Sequence, residues 1–228
     1  MILFLISSVA YVLGLLLIKP NPNSLKAVPL TYAQNFKLIR ASLCSGLFLL
    51  FVFLIISNYD FLIVDDHIYY LLALNNNIEM IMLWPFQLIT HLIIHIDFWH
   101  LINNVAGIGI ASVYERRVGA KRFLSVLAVG SVASIPSIFF YSETVSISGI
   151  SGGVVGLFAA YFTDRDELTT KEWCAAIFYF TIIMLLFSVD GNSVSSLQEY
   201  QIDYIGHIFG VLGVIIYCRF KPLQLLHK

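Results

Sequence analysis

The 228-residue sequence predicts an all-α polytopic membrane protein with seven membrane helices. Three observations predict it. Hydrophobic residues make up 59% of the chain and charged residues 12%, against roughly a quarter charged in soluble domains. Apolar stretches of near-spanning length recur along the chain, as a polytopic protein requires. Every Lys and Arg falls in alternate connections between those stretches, or at the helix ends that border them.

The first span, residues 2–18, has no Lys or Arg before its apolar run, and Pro20-Asn21-Pro22-Asn23 behind it is a poor cleavage site. It is therefore expected as a retained helix rather than a signal peptide. Lys19, Lys26, Lys37 and Arg40 lie between it and the second span, 38–56. The connection 57–97 has no Lys or Arg, and its aromatic and aliphatic content suits a segment lying at the membrane interface. The third span covers 98–114, and Arg116, Arg117, Lys121 and Arg122 separate it from the fourth, 121–141. A short connection without basic residues, 142–147, leads to the fifth span, 148–162. That span is short for a bilayer and fits a helix surrounded by protein better than one facing lipid. Arg165 and Lys171 precede the sixth span, 172–189; the connection 190–202 is again free of Lys and Arg. The seventh span, 203–218, ends in a tail with Arg219, Lys221 and Lys228. By the positive-inside rule the basic connections and the C-terminus are cytoplasmic and the N-terminus is outside. The chain then divides into an N-terminal helix with its basic connection, 1–37, a core over 38–220 and a short tail, 221–228.

The net charge of −1 says little. Cys44, Cys174 and Cys218 are isolated in apolar segments with no metal spacing, so they read as small core hydrophobes. No repeat, phosphate loop or nucleic-acid patch is present.

Chemistry enters with Ser151, inside Gly149-Ile150-Ser151-Gly152-Gly153, and with His207, beside Gly206. Polar and ionisable residues inside membrane helices are costly and are functional candidates by default. Each follows an outer connection and sits about one turn into its helix, so the two share a depth near the outer surface. Gly152 and Gly156, like Gly206 and Gly210, have the G-x-x-x-G spacing that lets membrane helices approach closely. Close approach is what a serine–histidine hydrogen bond of roughly 2.6–3.2 Å demands. The competing reading is that Ser151 bonds its own helix backbone and the glycines only pack.

A second constellation is His91, His95 and His100, followed by Asn104. His100 and Asn104 stand at i and i+4, on one helical face. Such side chains can stabilise the oxyanion formed when an amide is hydrolysed. Asn103 is near the same face and stays open at this level. Three histidines with Asp97 could instead ligate zinc, but His91 and His95 precede the regular helix and no H-E-x-x-H motif occurs, so no metal or other cofactor is expected.

These motifs together resemble the rhomboid family of intramembrane serine proteases, over roughly residues 86–214. Phe86-Gln87-Leu88-Ile89-Thr90-His91 resembles the family's Trp-Arg-x-x-Thr segment, and His95, His100 and Asn104 its H-x-x-x-x-H-x-x-x-N pattern. Glu115-Arg116-Arg117-Val118-Gly119 is similar to its E-x-R-x-G turn, Gly149-Ile150-Ser151-Gly152 to its G-x-S-G motif, and His207-Ile208-Phe209-Gly210 to its H-x-x-G. The resemblance implies a six-helix core opening outward, here with one extra N-terminal helix. It implies Ser151 as nucleophile and His207 as general base, with the oxyanion held by the Ser151 backbone N–H, His100 and Asn104, and with Gly149, Gly152 and Gly210 in support. The implied substrates are transmembrane segments of other proteins, cut near the outer face; no nucleic acid or metal partner is implied. The absence of a basic amphipathic transit peptide favours a bacterial plasma membrane over a mitochondrion. Three departures stand out: Phe86-Gln87 for Trp-Arg, Val155 where many members carry a tyrosine stacked on the histidine, and Val214 for a packing glycine. None removes a residue that does chemistry, so an active enzyme is expected over an inactive binder of membrane helices or a histidine-using transporter. Asp203 shares the face of His207 and either orients its imidazole or merely ends the helix.

Overall fold

A computed structural model describes residues 1–17, 30–165, 168–188 and 203–223. Lys19, Lys26 and Lys228, the segment Pro20-Asn21-Pro22-Asn23 and all of the 190–202 connection lie outside the described residues.

The described residues are mostly helical. Helix α1 (Ile2–Leu17) takes the first apolar stretch, and α2 (Tyr32–Leu38) opens with a capping box in which Thr31 accepts from the Gln34 N–H. Helix α3 (Arg40–Ile56) leaves α2 at an angle of 74°. The third stretch divides at Ala111 into α6 (Phe98–Ile110) and α7 (Ser112–Val118), behind a segment weakened as helix by Gly107 and Gly109. The fourth forms α8 (Ala120–Ser134) and then tightens into a 3₁₀ turn, Ile135–Phe140, because Pro136 has no N–H for the α ladder. Helices α9 (Ser151–Thr163), α10 (Thr170–Ser188) and α11 (Tyr204–Phe220) complete the chain. Among the described residues one continuous helix, Ala120–Phe140, is long and apolar enough to cross a bilayer alone, and α2 with α3 passes that test only as a bent pair. Helices α1, α9 and α11 are shorter apolar helices.

Helix α9 lies inside the bundle, with residues 152–160 all buried. This is the environment its short apolar stretch suggests. It packs against α8 and α11 at distances that only glycine permits. A methyl group on Gly210 would land on the Gly152 carbonyl, and one on Gly153 would strike the Leu127 carbonyl. In lipid the apolar effect between helices is weak, so such close packing and buried hydrogen bonds carry the association. Large apolar side chains point outward instead on several helices, among them Phe51 on α3, Ile110 on α6, Val132 on α8 and Ile216 on α11.

The basic end of the bundle is closed by side chains that satisfy helix termini. Buried Glu115 accepts from the N–H groups of Ala41 and Ser42 at 2.8 and 2.7 Å and so caps α3. Arg117 donates to the carbonyls of Ala160, Tyr161 and Asp164 at the end of α9, and Arg219 donates to that of Thr163. Arg122 grips Asp164 through two nitrogens at 2.8 and 3.1 Å, and Tyr114 also donates to that carboxylate. Asn35, which accepts from Arg116, donates to the Leu15 and Leu16 carbonyls and docks the end of α1.

The connection 57–97 is ordered by its own turns. It holds α4 (Asp66–Leu72), strand β1 (Leu74–Asn75), a 3₁₀ turn (Ile78–Leu83) and α5 (Trp84–Thr90). Strand β1 pairs antiparallel with β2 (Ser146–Ile147). Gln87, at one of the departing positions, is buried and donates to the Tyr70 and Leu71 carbonyls, while Thr90 donates to that of Leu72 at 2.6 Å. These bonds fasten α5 to α4. Ile78, Met82 and Ile89 remain exposed, an apolar surface of the kind an interfacial segment needs.

Candidate active site

The segment before α9 aims Ser151. Strand pairing with β1 holds Ser146 and Ile147, and Ser148 shares a 3.1 Å hydrogen bond with the Tyr69 hydroxyl. Gly149 then adopts φ +93°, a left-handed conformation that costs glycine little, and its N–H donates to the His91 carbonyl at 2.7 Å. That turn is not helical, so α9 begins at Ser151 itself, about a turn later than the apolar stretch suggests. His207 is the fourth residue of α11.

The two side chains meet. His207 Nε2 and Ser151 Oγ are 2.9 Å apart across 56 residues of sequence. His207 is 5% exposed, and its Nδ1 is buried with no hydrogen-bond partner among the described residues. The close approach of α9 and α11 at Gly152 and Gly210 makes the contact possible. A cavity of about 20 Å³ opens beside the pair, lined in part by His91, Ser134 and Ser148. It exceeds the roughly 10–15 Å³ that a water needs.

His100 and Asn104 lie on the other side of the Gly149 turn. A methyl group on Gly149 would sit 2.8 Å from His100 Nε2 and 3.6 Å from Asn104 Nδ2, so the glycine lets both side chains come up to the turn before Ser151. Asn104 is 1% exposed and donates to the His100 carbonyl at 3.0 Å, which uses one of its two amide hydrogens. Asn103, one residue earlier, is half-buried. His95 packs edge-on to His100 with ring centroids 4.9 Å apart, and burial followed by the nearby His100 holds its imidazole well below its usual titration range. His91 Nδ1 bonds the Gln87 carbonyl at 2.6 Å, and burial lowers its titration too. Among the described residues no group of three or more His, Cys, Asp or Glu side chains is arranged to hold a metal ion.

Asp203 caps α11: its carboxylate accepts from the Gly206 N–H at 2.7 Å. It also accepts from Ser137 at 2.6 Å and Tyr141 at 2.7 Å, two hydroxyls that the sequence reading passes over. They stand 66 and 62 residues away, and no spacing rule ties them to it.

A family model described as the rhomboid domain matches residues 82–221, well over half of the chain. The chain belongs to the rhomboid family. Rhomboid membership makes it an integral membrane protein, and the rhomboid family consists generally of serine proteases that act on membrane proteins within the bilayer. The matched stretch contains every rhomboid-like motif quoted above, from Phe86 to Gly210. No curated protein and no solved structure matches the chain.

Proposed function

We propose that this rhomboid is an active intramembrane serine endopeptidase working through a Ser151–His207 pair. The observation that carries the reading is the 2.9 Å contact between Ser151 Oγ and His207 Nε2, beside a turn flanked by His100 and Asn104. In this reading His207 takes the hydroxyl proton as Ser151 Oγ attacks a peptide carbonyl. The carbonyl oxygen becomes an oxyanion, held by the Ser151 backbone N–H with the side chains of His100 and Asn104. His207 then returns the proton to the leaving amine, and a water repeats the sequence on the acyl-enzyme. This is serine–histidine logic without a third member. Gly149, Gly152 and Gly210 support it by clearing space for the donors and for the α9–α11 contact.

The substrates are transmembrane segments of other proteins. A helix protects its own amides, so cleavage falls near the outer face, where a Gly, Pro or small residue lets the segment unwind. The extra N-terminal helix, the outside N-terminus, the cytoplasmic C-terminus and a bacterial plasma membrane belong to the same proposal. The arrangement of the helices and termini rests on the distribution of Lys and Arg.

The test is cleavage of a single-spanning substrate by the purified protein in liposomes. Ser151→Ala and His207→Ala are each expected to abolish turnover in folded protein. Because the pair acts as a unit, the double variant is no worse than either single one. Substantial turnover by folded Ser151→Ala protein would sink the assignment. A wild-type protein that binds the substrate without cutting it would indicate an inactive rhomboid instead.

A further inference from the structure

Apart from the 2.9 Å contact of Nε2 with Ser151 Oγ, little but its backbone fixes the plane of the His207 imidazole. Its Nδ1 has no hydrogen-bond partner among the described residues, and Val155, a turn along α9 from Ser151, sits in an aliphatic cluster with Ala159 and Val211 that offers no directional contact. The orientation of the ring is therefore inherited from the first turn of α11. That turn is set by Asp203, whose carbonyl accepts from the His207 N–H at 3.0 Å and whose carboxylate accepts from the Gly206 N–H.

An ordinary N-cap is satisfied by one or two backbone N–H groups. Asp203 is held more firmly than a cap requires. Ser137, fully buried in the 3₁₀ turn after α8, donates to Oδ2, and Tyr141, which closes that turn, donates to Oδ1. Hydrogen bonds to a carboxylate are about twice as strong as neutral ones. The outer end of α8 is thus bolted to the first turn of α11 at the depth of the Ser151–His207 pair.

We propose that Asp203, braced by Ser137 and Tyr141, is the positioning residue for His207 and keeps its Nε2 within hydrogen-bonding reach of Ser151. Its kinetic consequence, though not the brace itself, rests on the protease reading. A misplacement of about 1 Å can cost on the order of 10²-fold in rate. Loss of the brace is therefore read in the chemical step rather than in substrate binding.

The full chain and its Asp203→Ala, Asp203→Asn, Ser137→Ala and Tyr141→Phe variants are compared by cleavage kinetics and by hydrogen exchange of the Gly206 and His207 amides. Asp203→Ala is expected to lower kcat by about tenfold or more with KM little changed. Asp203→Asn recovers part of the loss, because its side-chain oxygen still caps the turn. Tyr141→Phe and Ser137→Ala lower kcat less, and neither adds a further loss in the Asp203→Ala background. Exchange at residues 206 and 207 quickens in each variant. A raised KM at unchanged kcat would overturn the brace, as would a Tyr141→Phe loss of equal size in both backgrounds. If Asp203→Ala does not fold, the two hydroxyl variants carry the same test. If the wild-type protein cleaves nothing, the protease reading fails while exchange still decides the brace, and unchanged exchange in Tyr141→Phe and Ser137→Ala overturns it.

Discussion

Asn104 and Asn103 are neighbours in sequence with different surroundings. Asn104 is buried beside the Gly149 turn, whereas Asn103 points roughly 100° away around a helix of about 3.6 residues per turn. If Asn104 is an oxyanion donor, Asn104→Ala is expected to slow the chemical step by about 10²-fold with little change in substrate binding. Asn103→Ala is much milder. Single-turnover cleavage in detergent, with folding followed by thermal unfolding, separates them, and greater damage from Asn103→Ala would mean that the α6 register at the site is misassigned. The i, i+4 relation of His100 and Asn104 was legible in the sequence, and the choice of Asn104 over Asn103 rested on the resemblance to the rhomboid motif; the Gly149 turn beside Asn104 Nδ2 was not legible there. Asp203 shows the opposite case. Its place at the start of the last helix was legible, and its two hydroxyl partners were not, because a hydroxyl 60-odd residues away carries no periodic signal.

Helices α9 and α11 meet through backbone, so their packing has no room to adjust. A side chain at position 210 would collide with the Gly152 carbonyl, and backbone cannot rotate out of the way as a flexible side chain can. Gly210→Val is therefore expected to push the helices apart, lower stability by about 1–3 kcal/mol or more, and remove turnover by separating His207 from Ser151. Thermal unfolding and labelling of Ser151 by a fluorophosphonate report the two effects, and normal labelling would contradict the close-contact argument. At the other end of α9, Asp164 is fully buried under Arg122 and Tyr114. Asp164→Ala leaves a partly buried guanidinium unpaired, and breaking such a pair typically costs about 3–5 kcal/mol. A clear drop in thermal stability is the expected outcome, and Arg122→Ala is expected to cost a comparable amount because it strands the fully buried carboxylate. The G-x-x-x-G spacings announced the first contact. The second was not visible, because Arg122 and Asp164 are 42 residues apart and each reads alone as an interfacial charge.

For the whole molecule the open question is sidedness. The alternating Lys and Arg predict that connection 57–97 faces outward and the 115–122 turn faces the cytoplasm. Single cysteines introduced at exposed Asp66 and Lys121 are expected to react with a membrane-impermeant maleimide from opposite faces of oriented vesicles. Labelling of both from one face would refute the seven-span arrangement. The sequence by itself determined the helical membrane class, the motif-bearing segments and their order, because lipid exposure forces apolar composition and chemistry forces residue type at fixed local spacing. Tertiary structure alone decided that Ser151 begins its helix instead of lying a turn inside it, because a left-handed Gly149 tied to the His91 carbonyl cannot be helical. It also decided which distant hydroxyls, arginines and carboxylates close the ends of the helices. Those pairings depend on how the bundle packs in three dimensions, and local periodicity holds no record of it.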